Sequence, residues 1–114
     1  MSSSLDLAQI GKLGEDMGAA FLSNLKDKVP DIENYAKSEG VKMAQCLATI
    51  TSLFAAGAIK EDEAKLQLDI QKHAARAILL TIEGLGALAV EAAINAALNV
   101  AKGAVNTALG FALI

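Results

Sequence analysis

The first third of the chain carries apolar residues at the spacing of an amphipathic helix. Six of them recur every three or four residues: Leu7, Ile10, Leu13, Met17, Phe21 and Leu25. This spacing puts them on one face of a helix, which we predict over about residues 4–28. Pro30 favours a boundary directly afterwards, because proline disfavours a helical conformation in the residue before it.

Three glycines interrupt this first predicted helix at spacings of three and four residues: Gly11, Gly14 and Gly18. Each glycine weakens a helix by about 1 kcal/mol relative to alanine. Two interpretations stay open at this point. The glycines either let a neighbouring helix approach closely or occupy surface positions that tolerate them.

A second helix is predicted over about residues 31–56, and its two halves differ in charge. The first half is charged and amphipathic, whereas the stretch "MAQCLATITSLFAAGAI" carries no charge at all. A helix without a charged face over such a length is typical of one buried on most sides. Gly57 suits the left-handed backbone conformation that ends many helices.

A third helix is predicted over about residues 60–110, because no proline occurs there and the pattern stays helical. Its first turn would hold Glu61, Asp62 and Glu63, where negative charge stabilises the start of a helix. The pair Gly84 and Gly86 is the one weak point, and the chain either continues through it or folds back there.

The last stretch of the chain, "EAAINAALNVAKGAVNTALGFALI", is nearly free of charge. After Glu91 only Lys102 is charged. A helix that is apolar over most of its circumference must be covered by something. We therefore predict a self-association surface on this helix, formed by Val90, Ile94, Leu98, Val105 and Leu109.

The narrow polar stripe of the same helix contains three asparagines, Asn95, Asn99 and Asn106. Asparagine side chains can hydrogen-bond across a helix interface and fix its register. We predict this register role for the three residues. Exposure to solvent on an outer face and the lining of a water-filled lumen are the two alternatives.

Composition and these boundaries together predict one all-α domain spanning residues 1–114. Hydrophobic residues make up 54% of the chain and aromatic residues 4%, and alanine and leucine are strong helix formers. The predicted architecture is an antiparallel bundle of three helices with a long, apolar C-terminal helix used for self-association. A four-helix up-down bundle broken at Gly84–Gly86 is the alternative.

The titratable residues give no sign of catalytic chemistry. Cys46 is the single cysteine and lies in the uncharged run, where a buried, inert thiol is expected. Asp69 precedes the single histidine, His73, by four residues, which indicates a pair at the surface or at a subunit boundary. The paired Glu-x-x-His motifs of di-iron bundles are missing. We expect no enzyme activity, cofactor or metal.

The net charge of −3 lacks the basic footprint that binds nucleic acid, so no nucleic-acid partner is expected. We predict a non-enzymatic structural or assembly protein that acts as a helical homo-oligomer, as in a large particle such as a virion. A membrane-active or pore-forming protein whose C-terminal helix inserts in a bilayer is the alternative. Polar residues follow Met1, so we expect a protein that is intracellular or part of an assembled particle.

Overall fold

The computed structural model describes residues 5–25, 32–82 and 84–114, and within these ranges the chain forms four helices and no strand. This confirms the all-α prediction. In chain order the helices are α1 (Leu7–Leu25), α2 (Glu33–Ala55), α3 (Glu61–Leu80) and α4 (Ala87–Leu109).

Helix α1 begins at a reciprocal pair of hydrogen bonds between Asp6 and Gln9. The Gln9 backbone N–H donates to Asp6 Oδ1 at 2.8 Å, and the Asp6 N–H donates to Gln9 Oε1 at 3.0 Å. Two N–H groups that a helix start leaves without a partner are satisfied in this way. The predicted boundary at Pro30 lies outside the described residues.

The turn from α2 to α3 forms at the residues that the sequence predicts for it. Gly57 has a φ of 74°, in the left-handed region, and its N–H donates to the Phe54 carbonyl at 3.0 Å. The Lys60 N–H donates to Glu63 Oε1 at 3.0 Å. The three acidic residues stand in the first turn of α3, as predicted.

The segment predicted as one helix over residues 60–110 consists of two helices in the structure. Gly84 has a φ of 96°, which glycine adopts readily and other residues do not. The Leu85 N–H donates to the Ile82 carbonyl at 3.2 Å, and Gly86 is extended directly before α4. The break therefore falls at the glycine pair, as in the four-helix alternative.

Helices α1 and α2 cross with their backbones in close contact at three glycines. A methyl group on Gly40 of α2 would lie 2.6 Å from the Gly18 Cα atom and 2.7 Å from the Gly14 carbonyl oxygen. Gly18 thus takes the close-approach interpretation, whereas a methyl group on Gly14 would be only in ordinary van der Waals contact with α2. Gly11 takes the surface interpretation, because a methyl group there would meet nothing within 4 Å.

Helices α1, α2 and α4 supply most of the large buried side chains. Helix α4 packs against all three other helices, whereas α3 packs against α2 and α4 within the described ranges. The largest of the fully buried apolar side chains are Phe21, Met17, Leu25, Ile32, Met43, Leu47, Ile50, Leu79 and Ile94. Helix α3 adds mainly Ala64, Leu68, Ala75 and Leu79.

Candidate interaction surface

The five residues predicted as a self-association surface lie inside the bundle. Their exposed fractions are 0% for Val90 and Val105, 2% for Ile94 and Leu109, and 4% for Leu98. All five belong to the hydrophobic core that α4 shares with its own chain. In this arrangement they would join an interface between copies only if α4 left the bundle.

The three predicted register asparagines do not share one environment. Asn106 is half-buried, and its Oδ1 accepts the N–H groups of Leu113 at 2.9 Å and Ile114 at 3.1 Å. Its Nδ2 donates to the Ile114 carbonyl at 3.3 Å. Asn95 and Asn99 are exposed and line the cleft between α3 and α4. Asn106 thus holds the end of its own chain.

The last residues fold back over the end of α4, which covers part of the apolar C-terminus. Gly110 has a φ of 83° and its N–H donates to the Asn106 carbonyl at 2.9 Å. Leu113 is buried, and the Phe111 ring packs on the Phe54 ring of α2 with centroids 5.0 Å apart. Part of the apolar C-terminus is therefore covered within the chain.

Helix α3 carries an apolar face that no described part of the chain covers. Leu66, Ile70 and Leu80 are 59%, 60% and 41% exposed. His73 and Ala77 are exposed on the same face, since all five recur every three or four residues. We call these five residues the α3 outer stripe. It lies opposite the buried face of α3, which Ala64, Leu68, Ala75 and Leu79 form.

The sequence signal for this stripe is a double periodicity within α3. Leu66 and Ile70 recur at helical spacing, and so do Ala64 and Leu68, two residues out of phase. Two residues correspond to about 200° around a helix, so the two sets point in opposite directions. The seven charges of α3 mask this pattern: Glu61, Asp62, Glu63, Lys65, Asp69, Lys72 and Arg76.

One edge of the stripe is charged and faces α4. The Arg76 Nε atom lies 3.1 Å from Glu91 Oε1 of α4, and both side chains are 44% exposed. Lys72 and Asp69 line the same cleft between the two helices. Salt bridges this exposed contribute little stability, about 0–1 kcal/mol.

Other exposed apolar side chains are scattered. Leu88 is 89% exposed at the start of α4, and Val100 is 43% exposed further along it. On α2, Tyr35 and Val41 are 48% and 47% exposed. Single exposed apolar residues are common on monomeric proteins. The α3 outer stripe differs because three large apolar side chains share one helix face.

The reactive side chains do not assemble into a chemical site in the part of the chain that the structure describes. No group of three or more metal-ligating side chains occurs there, and no hydrogen bond joins Asp69 to His73. Cys46 is half-buried, and desolvation by burial raises the pKa of its thiol. A raised pKa lowers the thiolate fraction and with it the reactivity.

Glu39 of α2 is a buried charge that the sequence pattern did not single out. It is 1% exposed, and its Oε1 accepts a hydrogen bond from Lys42 Nζ at 3.2 Å. Its Oε2 has no hydrogen-bond partner among the described residues. A buried carboxylate with one free oxygen costs folding free energy.

No protein-family model matches the chain, and no curated protein or solved structure shows significant similarity to it. One helix of the described ranges, Ala87–Leu109, is long and apolar enough to cross a membrane by length and composition. The core helix of a bundle passes the same criterion, and nine α4 residues belong to the buried core.

Proposed function

We propose that this protein is a non-enzymatic assembly module that acts as a helical homo-oligomer. The observation that carries the proposal is the α3 outer stripe, where Leu66, Ile70 and Leu80 stay exposed after the bundle closes. Burying a leucine or isoleucine side chain contributes about 1.5–3 kcal/mol. Three such side chains on one face therefore supply a driving force for association between copies.

The closed four-helix bundle is the unit that this proposal uses. In the other arrangement, a continuous helix through Gly84 would extend beyond a three-helix body and free the α4 residues for contact with other copies. The closed unit is favoured because it already buries those α4 residues, and Gly84 adopts a conformation that ends a helix. Membership of a larger particle such as a virion, or an intracellular location, is part of the same proposal.

Membrane insertion of α4 is the second candidate, and its length and apolar composition favour it. Insertion would require α4 to leave the bundle and to carry Glu91 and Lys102 into the bilayer. Charged side chains near a bilayer centre cost about 2.5–3.5 kcal/mol each on insertion scales. The bundle covers the buried apolar face of α4 without that cost, so we favour the assembly module.

Sedimentation velocity over a wide concentration range tests the proposal against the membrane alternative. We expect the purified protein to form a discrete soluble oligomer without detergent and to stay in the supernatant when lipid vesicles are pelleted. The proposal fails if the protein is monomeric at the highest soluble concentration. Co-sedimentation with vesicles, or solubility only in detergent, would favour the membrane-active function instead.

A further inference from the structure

We propose that two copies of this chain pair through their α3 outer stripes in an antiparallel arrangement, with the two-fold axis passing beside His73. The inference rests on the proposed self-association and specifies its surface and geometry. It is carried by two properties of α3. The stripe is nearly symmetric about its centre, and on its α4-facing edge Asp69 lies before the centre and Arg76 after it.

The symmetry of the stripe follows from residue positions. Leu66 and Leu80 each lie seven residues from His73, about 10.5 Å along the helix axis in opposite directions. Ile70 lies three residues before His73, and Ala77 lies four residues after it. A two-fold axis at His73 therefore sets Leu66 against Leu80 of the second copy. It also sets the large Ile70 side chain against the small Ala77.

The charged edge supports the antiparallel direction. A two-fold axis perpendicular to the helices places the α4-facing edge of one copy beside the same edge of the other. Asp69 lies four residues before His73 on this edge, and Arg76 lies three residues after it. The Asp69 carboxylate thus comes opposite Arg76 of the second copy, to within one residue's rise of about 1.5 Å. The symmetry repeats this contact, so the dimer contains two such pairs.

Arg76 can serve this contact while keeping its bond within the chain. Its Nε atom is the one that lies 3.1 Å from Glu91. A guanidinium group carries five N–H donors in a fork, so the terminal nitrogens can reach a second carboxylate. A parallel two-fold pairing would instead set this edge against the opposite edge of the second copy's stripe, near Gln67 and Ala74, so Asp69 would have no contact with Arg76.

The stripe spans about 21 Å along one helix, which is small for a protein interface. Interfaces of this size belong to weak, exchanging complexes rather than to obligate dimers. We therefore expect micromolar rather than nanomolar affinity. Further copies in a larger assembly would need a second contact elsewhere on the bundle.

Engineered cysteines test the position of the two-fold axis. In a Cys46→Ala background, which removes the single native cysteine, His73→Cys places a thiol beside the axis. Ala77→Cys is the matched control on the same face, because the two copies of position 77 would be about 12 Å apart along the helix axis. A disulfide needs Cα atoms within about 7 Å, so His73→Cys should cross-link about tenfold faster.

Charge reversal tests the direction of pairing. Asp69→Arg alone and Arg76→Asp alone each make both edge contacts repulsive, so each variant should weaken its own dimer by about tenfold. An equimolar mixture of the two variants restores opposite charges in both contacts. The mixture should therefore dimerise about as well as the wild type, as measured by sedimentation equilibrium.

The outcomes separate this inference from the proposed function. Suppose that the wild type is an oligomer. If Ala77→Cys then cross-links as fast as His73→Cys, or if the mixture dimerises no better than the single variants, the antiparallel α3 pairing alone is overturned. A wild-type monomer overturns the pairing and the proposed function together. Rapid cross-linking at position 73 with rescue in the mixture supports both.

Discussion

Helices α3 and α4 place their apolar residues in opposite ways. Helix α4 has two charged residues, Glu91 and Lys102, and is the most apolar helix, yet its large side chains are mostly buried within the chain. Helix α3 has seven charged residues, yet it leaves Leu66 and Ile70 well exposed. The apolar content of a helix indicates how much cover it needs, but not whether its own chain supplies that cover.

The position of each helix in the bundle explains the difference. Helix α4 contacts α1, α2 and α3, and these neighbours bury nine of its 23 residues, including most of its large apolar ones. Helix α3 contacts two helices, α2 and α4, and its opposite side has no described neighbour. The apolar residues on that side therefore stay exposed, and the proposed pairing uses them.

Paired aspartate substitutions should show the largest difference in stability between a change on α4 and the same change on α3. Ile94→Asp with Leu98→Asp buries two unpaired charges, at a cost of several kcal/mol each. That cost approaches the whole stability of a typical domain, about 5–15 kcal/mol, so we expect loss of cooperative folding. Circular dichroism during thermal unfolding measures it.

The matched variant carries the same chemical change on α3. Leu66→Asp with Ile70→Asp places both carboxylates at positions that are exposed in the free chain. We expect helical content and melting temperature close to wild type, and loss of the oligomer in sedimentation. Folded α4 variants that lose only their oligomeric state would mean that α4 is the interface after all.

The sequence was sufficient for the all-α fold and for the boundary between α2 and α3, because local chemistry marks that boundary. Gly57 and the acidic residues after Lys60 end one helix and begin the next without help from the rest of the chain. The break at Gly84 was visible as a weak point. A glycine inside a helical pattern does not by itself decide between a turn and a continuous helix, and the structure has the turn.

The surface was harder to predict, because exposure depends on contacts distant in sequence. The α4 apolar residues indicated a need for cover but not its source, which is α1, α2 and α3. Asn106 looked equivalent to Asn95 and Asn99, but the returning tail engages it alone. The sequence pattern did not predict the α3 outer stripe, because charged residues stand between its apolar positions.

Glycine-to-alanine substitutions compare a buried position with an exposed one by the effect of a single added methyl group on stability. Gly40→Ala would force its methyl group against the backbone of α1, less than 3 Å from Gly18 and Gly14 atoms. Because backbone moves less easily than a side-chain tip, we expect a loss of about 3 kcal/mol, at the upper end for overpacking. Denaturant unfolding measures it.

Gly11→Ala is the control for this change, on the neighbouring helix and with nothing within 4 Å of the added methyl group. Replacing an exposed helical glycine with alanine should stabilise the protein by up to about 1 kcal/mol. Equal effects of the two substitutions would contradict the close crossing of α1 and α2.

The smallest expected effect concerns the turn that separates α3 from α4. Gly84 has a φ of 96°, and a residue with a Cβ atom loses about 1–2 kcal/mol in a left-handed conformation. Gly84→Ala should therefore lower the free energy of unfolding by about that amount. Gly103→Ala, within α4 and with nothing near the added methyl group, should instead raise it by up to about 1 kcal/mol.

If α3 and α4 formed one continuous helix, position 84 would be a helix interior and both substitutions would stabilise the protein. Opposite signs for the two variants in denaturant unfolding therefore indicate a turn, and the same sign would indicate the long helix that frees α4 for other copies.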